Sequence, residues 1–195
     1  MGTIGTRTVR SRQEMAAKCH VGIMLNTTSD KLVGMAKVSP IPRGYRSLTP
    51  GLVVKNAKDA IEFYKKAFGA KEIHRMYLPD GKTIMHAELK IGDSQLMLSD
   101  EMPQMQCLSP QTVGGASSSI YLYVKNADKT FDQAVKAGAT PTMPVMDAFW
   151  GDRMGGLTDP FGHNWGIATR KKNLTAKQMK KAGEEFMASM GKAQA

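Results

Sequence analysis

The stretch Gly151–Thr169, GDRMGGLTDPFGHNWGIAT, decides the fold of this 195-residue chain. At its centre, Asp159-Pro160-Phe161-Gly162 has the residue types of a type I turn: Asp first, Pro second with φ preset, and Gly last. The segments on either side can both run extended, and the second one places apolar Trp165 and Ile167 on alternate positions. The stretch therefore predicts an antiparallel β-hairpin.

The hairpin closes a β-α-β-β-β pattern that the chain contains twice. In the first copy, the β-branched run Thr49–Lys55 predicts a strand, and Asn56 is a favourable N-cap for the helix that follows. Gly69 ends that helix as the residue just past its C-terminus. Two turn signals then separate three extended segments: Lys71–Leu78, Thr83–Ile91 and Ser94–Ser99.

The second copy begins 70 residues later. Leu52–Ala57 (LVVKNA) and Leu122–Ala127 (LYVKNA) agree at five of six positions. Asn126 again caps a helix, and Gly138 again ends it. Residues 139–146 supply one further strand and the hairpin supplies the last two.

The two copies, 49–99 and 119–169, are joined by a linker at 104–117 that contains Gly and Pro. About 50 residues bury too little apolar surface to fold alone, so the copies are expected to share a core within one domain, 45–169. We predict an α+β fold in which two β-α-β-β-β modules form one curved mixed sheet with a concave cleft.

The net charge of +10 lies outside this domain. Residues 1–44 carry seven basic and two acidic side chains, residues 170–195 carry the same numbers, and 45–169 is neutral. A duplex-binding surface needs a basic stripe on the folded body, so no specific nucleic-acid partner is expected. A basic C-terminal helix is predicted in 170–195, and weak adhesion of this helix to anionic surfaces is a further alternative. Residues 1–44 are interpreted as a disordered or leader-like extension, or as a start assigned too early.

The composition offers no segment for a membrane. No window approaches 18 consecutive apolar residues, and the apolar fraction of 42% is ordinary for a globular protein. Cys19 and Cys107 have neither the spacing of a disulfide framework nor that of a metal site, which is typical of a reducing cytosol. A cytoplasmic location is the resulting prediction.

Three features carry a family resemblance: the paired modules, the IEFYKKAFGA helix after the first VKNA, and the closing GDRMGGLTDPFGHNWGIATR. They resemble the vicinal oxygen chelate superfamily, with its glyoxalase/bleomycin resistance/dioxygenase fold. Within it the chain is most similar to the PhnB-like branch, through the DPFGH-x-W hairpin and the terminal LTAKQMKKAGEEFMASM. The resemblance covers about Met35 to Ala195 and implies a ligand cleft and a homodimer, which is common in the superfamily.

Enzymes of this superfamily hold a divalent metal through side chains on the first and last strands of each module. The resemblance places these positions at Thr49, near Leu98 with Ser99 beside it, at Ser119 and at Gly166. Divalent first-row metals need basic nitrogen or oxygen donors, which this set lacks. No metal or other cofactor is therefore expected, and the resemblance implies a metal-independent protein that binds a small organic ligand.

A rebuilt site is the alternative. His86 and Glu88 share one face of a predicted strand, and a histidine beside a carboxylate can bind a metal or transfer protons. They are the candidate catalytic residues of a metal-dependent lyase, isomerase or dioxygenase of the same superfamily. An exposed polar strand face is the simpler interpretation of the pair.

Strand parity predicts which side chains line the cleft. Extending the ligand positions along each strand brings Tyr121, Tyr123 and Asn164 to the concave face. Further aromatic side chains and one anchoring guanidinium enter from the strand before the last turn, and methionines add apolar surface. Such a pocket is mainly apolar and adaptable. The predicted ligand-binding residues are Met97, Tyr121, Tyr123, Trp150, Arg153 and Asn164.

Overall fold

The computed structural model describes residues 38–193, so predictions for the extension before residue 38 lie outside the described residues. The first module contains β1 (Gly51–Val54), α1 (Ala57–Phe68), β2 (Lys71–Tyr77), β3 (Ile84–Ile91) and β4 (Ser94–Asp100). A 3₁₀ turn (Pro103–Met105) and the short helix α2 (Pro110–Val113) follow within the predicted linker. The second module contains β5 (Ser119–Tyr123), α3 (Ala127–Ala137), β6 (Thr140–Asp147), β7 (Asp152–Thr158) and β8 (Asn164–Arg170). Helix α4 (Ala176–Ala193) ends the described chain.

Both modules use the same junction between their first strand and helix. The Asn56 side-chain oxygen accepts a hydrogen bond of 3.1 Å from the backbone N–H of Asp59, and Asn126 accepts one of 3.0 Å from that of Lys129. These caps satisfy backbone donors that a helix N-terminus otherwise leaves free. The repeated VKNA therefore encodes a strand end and a helix start in both modules.

Each module forms its own four-stranded mixed sheet. The strand orders are β1-β4-β3-β2 and β5-β8-β7-β6, with β1 parallel to β4, β5 parallel to β8 and the other pairs antiparallel. The predicted α+β fold of two β-α-β-β-β modules is confirmed. The modules do not share a sheet, however, because no strand of one pairs with a strand of the other within residues 38–193.

Helices join the modules instead of strands. Helix α1 packs against α3, and the hairpin between β7 and β8 adds aromatic side chains to the same contact. The ring centroids of Phe68 and Trp165 lie 4.6 Å apart, and those of Tyr64 and Trp165 lie 5.5 Å apart. Burial of this apolar surface replaces the shared sheet as the means of holding the halves together.

The turn residue Asp159 lies at the centre of this junction. Its carboxylate is buried, with 4% of the residue exposed. One oxygen accepts 2.9 Å hydrogen bonds from the backbone N–H groups of Phe161 and His163. The other accepts from the Tyr64 hydroxyl at 2.7 Å and from Trp165 Nε1 at 2.9 Å. Four donors compensate the carboxylate for the loss of water, and one of them comes from the other module.

The turn also explains the glycine at its end. Gly162 has φ of +88°, and a Cβ there would lie 3.0 Å from the Pro110 Cβ. We expect Gly162→Val to lower the free energy of unfolding by about 1–3 kcal/mol, because the backbone strain and the contact both oppose a side chain. Urea denaturation measures the change. Gly51→Ala is the matched control, since no atom lies within 4 Å of its Cβ position. Equal unfolding midpoints for the two variants would contradict this description of the turn.

Candidate functional site

Each sheet has one face covered by a helix and one open face. In the first module Leu96 and Leu98 are buried on the covered face, while Met97, between them, lies on the open face. In the second module Trp165 and Ile167 are buried on the covered face, so Tyr121 and the residue paired with it, Gly166, lie on the open face. The open faces carry several of the side chains that were predicted to line a cleft.

Two tyrosines of β5 dominate the open face of the second module. Tyr121 and Tyr123 are 45% and 58% exposed, and their ring centroids lie 5.8 Å apart. The Tyr123 hydroxyl donates a 2.8 Å hydrogen bond to an oxygen of Asp152, and the Tyr121 hydroxyl contacts the sulfur of Met154. Because β7 ties down both hydroxyl groups, the rings present their carbon surfaces outward.

Asp152 organises this aromatic face. It is 1% exposed, and one carboxylate oxygen accepts from both the Tyr123 hydroxyl and Trp150 Nε1, the latter at 3.0 Å. The other oxygen pairs with Arg170 at 3.1 Å. The hydrogen bond to Asp152, with burial, raises the pKa of Tyr123, so its hydroxyl stays protonated and donates. Asp152 was not identified from the sequence. It follows Trp150-Gly151 at the start of a predicted strand and lies two residues before Met154, which places both side chains on the same face of that strand.

The structure gives a steric reason why a metal-binding side chain is absent from β8. A Cβ at Gly166 would lie 2.7 and 2.8 Å from two carbons of the Tyr121 ring. The ring therefore fills the space that a carboxylate at this position would need. Ser119 and Thr49 bring only hydroxyl groups, and residues 38–193 contain no group of three or more His, Cys, Asp or Glu side chains suited to a metal ion.

The predicted fourth-strand metal position needs a correction. Leu98 is buried on the covered face of its sheet, so it does not point into a cleft. In the first module Met97 pairs with Gly51 across the parallel strands, and at the equivalent place in the second module Gly166 pairs with Tyr121. Met97 is therefore the open-face residue at the fourth-strand position. The prediction was one residue out of phase, and a change of one residue along a strand reverses the face.

Arg153 does not join the aromatic face. Its guanidinium donates hydrogen bonds of 2.7 and 2.6 Å to Asp128 at the start of α3 and one of 3.3 Å to Asp147. These contacts lie on the helix side of the sheet, because Asp152 and Met154 on either side occupy the open face. The predicted role of Arg153 as an anchoring cation in the cleft is therefore not supported.

The structure brings some of the predicted ligand-binding residues together and separates others. Trp150 lies beside Tyr123 through their shared partner Asp152, and Asn164 lies opposite Ser119 on the same open face, where it accepts a 2.9 Å hydrogen bond from Thr158. Met97 belongs to the other sheet. Helix α1 packs on the first sheet, α3 packs on the second, and the two helices pack on each other, so the open faces of the two sheets point away from each other within one chain.

The candidate catalytic pair is on the open face of the first module. His86 Nε2 lies 3.3 Å from Glu88 Oε1, and Glu88 pairs with Met97 across the strands. The two side chains are about a quarter to a third exposed. They form a pair without a third metal-binding partner among the residues that the structure describes.

Comparisons with known proteins agree with this architecture. Residues 47–167 match the family model of the Glyoxalase/Bleomycin resistance protein/Dioxygenase superfamily, and the chain belongs to this superfamily. An uncharacterised protein of Mycobacterium bovis is 45% identical over 124 residues, which cover 62% of this chain and 81% of that protein. The structure of an Arabidopsis thaliana gene product is 30% identical, covers 64% of this chain and 98% of its own, and has a TM-score of 0.51.

Two further findings bear on the class of protein. A protein of known structure from Pseudomonas aeruginosa is 25% identical, with a TM-score of 0.51 over 64% of this chain and 98% of its own. Among residues 38–193, no helix has the length and apolar character needed to span a membrane.

Asp152→Asn tests the arrangement of the aromatic face. We expect it to lower the free energy of unfolding by about 1–3 kcal/mol, because a buried acceptor with three donors loses its charge. Chemical denaturation gives the stability, and Trp150 fluorescence should change with it. Asp147→Asn is the matched control, since Asp147 is exposed and its ion pair with Arg153 is a surface contact. Equal losses in both variants would show that Asp152 does not organise this face.

Proposed function

We propose that the protein binds a small, planar organic molecule on the open face of the second module, without a metal ion. The observation that carries the proposal is the exposure of the Tyr121 and Tyr123 rings, 45% and 58%, while their hydroxyl groups are already engaged by β7. A surface of this kind offers ring faces rather than free polar groups. Stacking of a flat molecule is the interaction that it favours.

The charge around the rings favours a neutral or positively charged ligand. Ring faces are electronegative, and the Asp152 carboxylate lies at the hydroxyl end of the Tyr123 ring. Its ion-pair partner Arg170 approaches from the β8 side, at the end of the strand. The proposed site is therefore an electronegative aromatic face, and not a pocket with the Arg153 guanidinium as an anchoring cation.

Metal independence rests on the donor positions. Gly166 has no room for a carboxylate beneath the Tyr121 ring, and Thr49 and Ser119 supply only hydroxyl groups. Hydroxyl groups alone are poor ligands for divalent first-row metals. The ligand would accordingly be held by stacking and shape.

We infer that the protein acts as a homodimer. A molecule lying on Tyr121 and Tyr123 is covered from one side only in a single chain, whereas ligand sites usually bury most of the ligand surface. A second copy would supply the other wall and would also cover the exposed rings. Sedimentation equilibrium should give about twice the chain mass of 21.3 kDa, and the mass of one chain would rule the dimer out.

Binding of proflavine, a planar aromatic cation, tests the proposed ligand class. We expect Tyr121→Ala with Tyr123→Ala to raise the dissociation constant at least about tenfold, since two stacking surfaces are lost. Proflavine fluorescence anisotropy measures it. Tyr77→Ala removes a similarly exposed tyrosine from the other module and should leave the affinity unchanged. Equal affinities for all three proteins would contradict the proposal.

The alternative function is a metal-dependent lyase, isomerase or dioxygenase that uses His86 and Glu88. The 3.3 Å contact between their side chains on an open sheet face is the observation in its favour. Superfamily membership is compatible with it, because one fold supports several chemistries. If a turnover is found, its loss in the variant His86→Ala/Glu88→Gln would establish this function, and its persistence would exclude the pair.

Three finer expectations stay predictions. The PhnB-like branch rests on the DPFGH-x-W hairpin and the C-terminal segment. A cytoplasmic location was predicted from the spacing of the cysteines, but Cys107 is disulfide-bonded in the structure, which removes that support. Adhesion of the basic residues 170–195 to anionic surfaces is a third, and it should collapse between low and physiological salt.

A further inference from the structure

The C-terminal helix α4 carries an apolar stripe that continues past its contact with the rest of the chain. Residues three, four, seven or eight positions apart lie on one side of an α-helix. The apolar stripe has this spacing and consists of Met179, Gly183, Phe186, Met187 and Met190. It makes α4 amphipathic along most of its length.

The first part of the apolar stripe lies against the body of the protein. The Phe186 ring stacks on Phe149, in the turn between β6 and β7, with ring centroids 5.3 Å apart. A Cβ at Gly183 would lie 3.4 Å from the same Phe149 ring, so the helix approaches the turn closely. Helix α4 packs extensively on no other helix or strand of the described chain. One aromatic side chain is thus its main attachment.

The second part of the apolar stripe is left uncovered by residues 38–193. Met187 is 68% exposed and Met190 is 46% exposed, although both continue the stripe beyond Phe186. A single exposed apolar side chain is ordinary, but neighbouring ones on the same surface commonly mark a contact with another molecule. The end of α4 is therefore a candidate contact surface.

Basic side chains accompany the apolar stripe. Lys180 and Lys181 are 79% and 78% exposed, and their pairs with Glu184 and Glu185 span 3.9 and 3.8 Å. Such surface pairs contribute little, so the ammonium groups stay available to a partner. Residues 170–195 carry seven basic and two acidic side chains. This charge favours a partner with a negatively charged surface.

We propose that α4 binds reversibly to the surface of a bilayer that contains anionic lipids. The lysine side chains attract the lipid headgroups, while Met187 and Met190 enter the boundary between headgroups and acyl chains. A bilayer presents negative charge and an apolar layer over a wide plane, so an exposed amphipathic helix meets both at once.

The helix lies on the membrane in this proposal and does not cross it. No helix among residues 38–193 has the length and apolar character needed to span a bilayer. The inference deepens the expectation that residues 170–195 adhere to anionic surfaces, because it names the surface and adds an apolar contact. It does not depend on the aromatic face of the second module.

Sedimentation of the full-length protein with lipid vesicles at low salt tests the inference. Vesicles of phosphatidylglycerol and phosphatidylcholine in equal parts should bind at least about tenfold more tightly than phosphatidylcholine alone, because lysines are attracted to anionic lipid. Met187→Ser with Met190→Ser should weaken binding to the anionic vesicles at least about fivefold, since the apolar contact is lost. Lys180→Gln with Lys181→Gln should weaken it at least about tenfold.

Two control variants change the same kinds of side chain elsewhere. Leu48→Ser with Val113→Ser removes apolar side chains from residues that are 87% and 61% exposed, and Lys58→Gln with Lys71→Gln removes two exposed lysines. Both controls should bind vesicles like the unaltered protein. Proflavine binding should be the same in all of these variants, so the vesicle proposal and the proposed aromatic site fail separately.

Three results would overturn the inference. If the unaltered protein does not bind anionic vesicles at low salt, the broader expectation of adhesion fails as well. Unchanged vesicle binding after Met187→Ser with Met190→Ser would leave a purely electrostatic attraction. Sedimentation equilibrium without lipid gives the third result, since loss of a dimer in this methionine variant would assign the apolar stripe to a second copy of the chain.

Discussion

The carboxylate of Asp159 accepts hydrogen bonds from both modules, and the arrangement of the halves depends on it. It fixes the turn between β7 and β8 through two backbone N–H groups, and it holds the Tyr64 hydroxyl of α1 at 2.7 Å. Burial and the Asp159 charge raise the pKa of Tyr64 well above its usual value, so this donor is retained over the whole physiological range. The modules meet through helices and this turn, which leaves both open sheet faces available for ligands.

Local signals in the sequence were sufficient for the elements. Asn56 and Asn126 cap their helices as predicted, and Gly162 ends the turn with positive φ. The separation into two sheets was not predictable, because the apolar stripe of α1 looks the same whether it packs on its own sheet alone or also on a second helix. The contact between Tyr64 and Asp159 joins residues 95 positions apart, and no local pattern encodes it.

The site was predicted in part. Parity along an unbroken strand correctly placed Tyr121 and Asn164 on an open face. The prediction failed for Arg153, whose guanidinium pairs with Asp128 on the helix side of the sheet, and for Leu98, where the position taken from the family resemblance was one residue out of phase. The close approach of the Tyr121 ring to Gly166 explains why a missing carboxylate and an aromatic face occur together. A side chain at Gly166 would have to displace the Tyr121 ring, so the glycine and the position of the ring are linked by packing.

The metal content of the protein tests this account most directly. Protein purified without an affinity tag, from cells supplied with zinc, manganese, nickel and iron, can be measured by inductively coupled plasma mass spectrometry. Because Thr49, Ser119 and Gly166 lack suitable donors, each metal should be found well below one equivalent per chain. One tightly held equivalent of any divalent metal, retained after dialysis, would contradict the account and would favour an enzyme built on other residues.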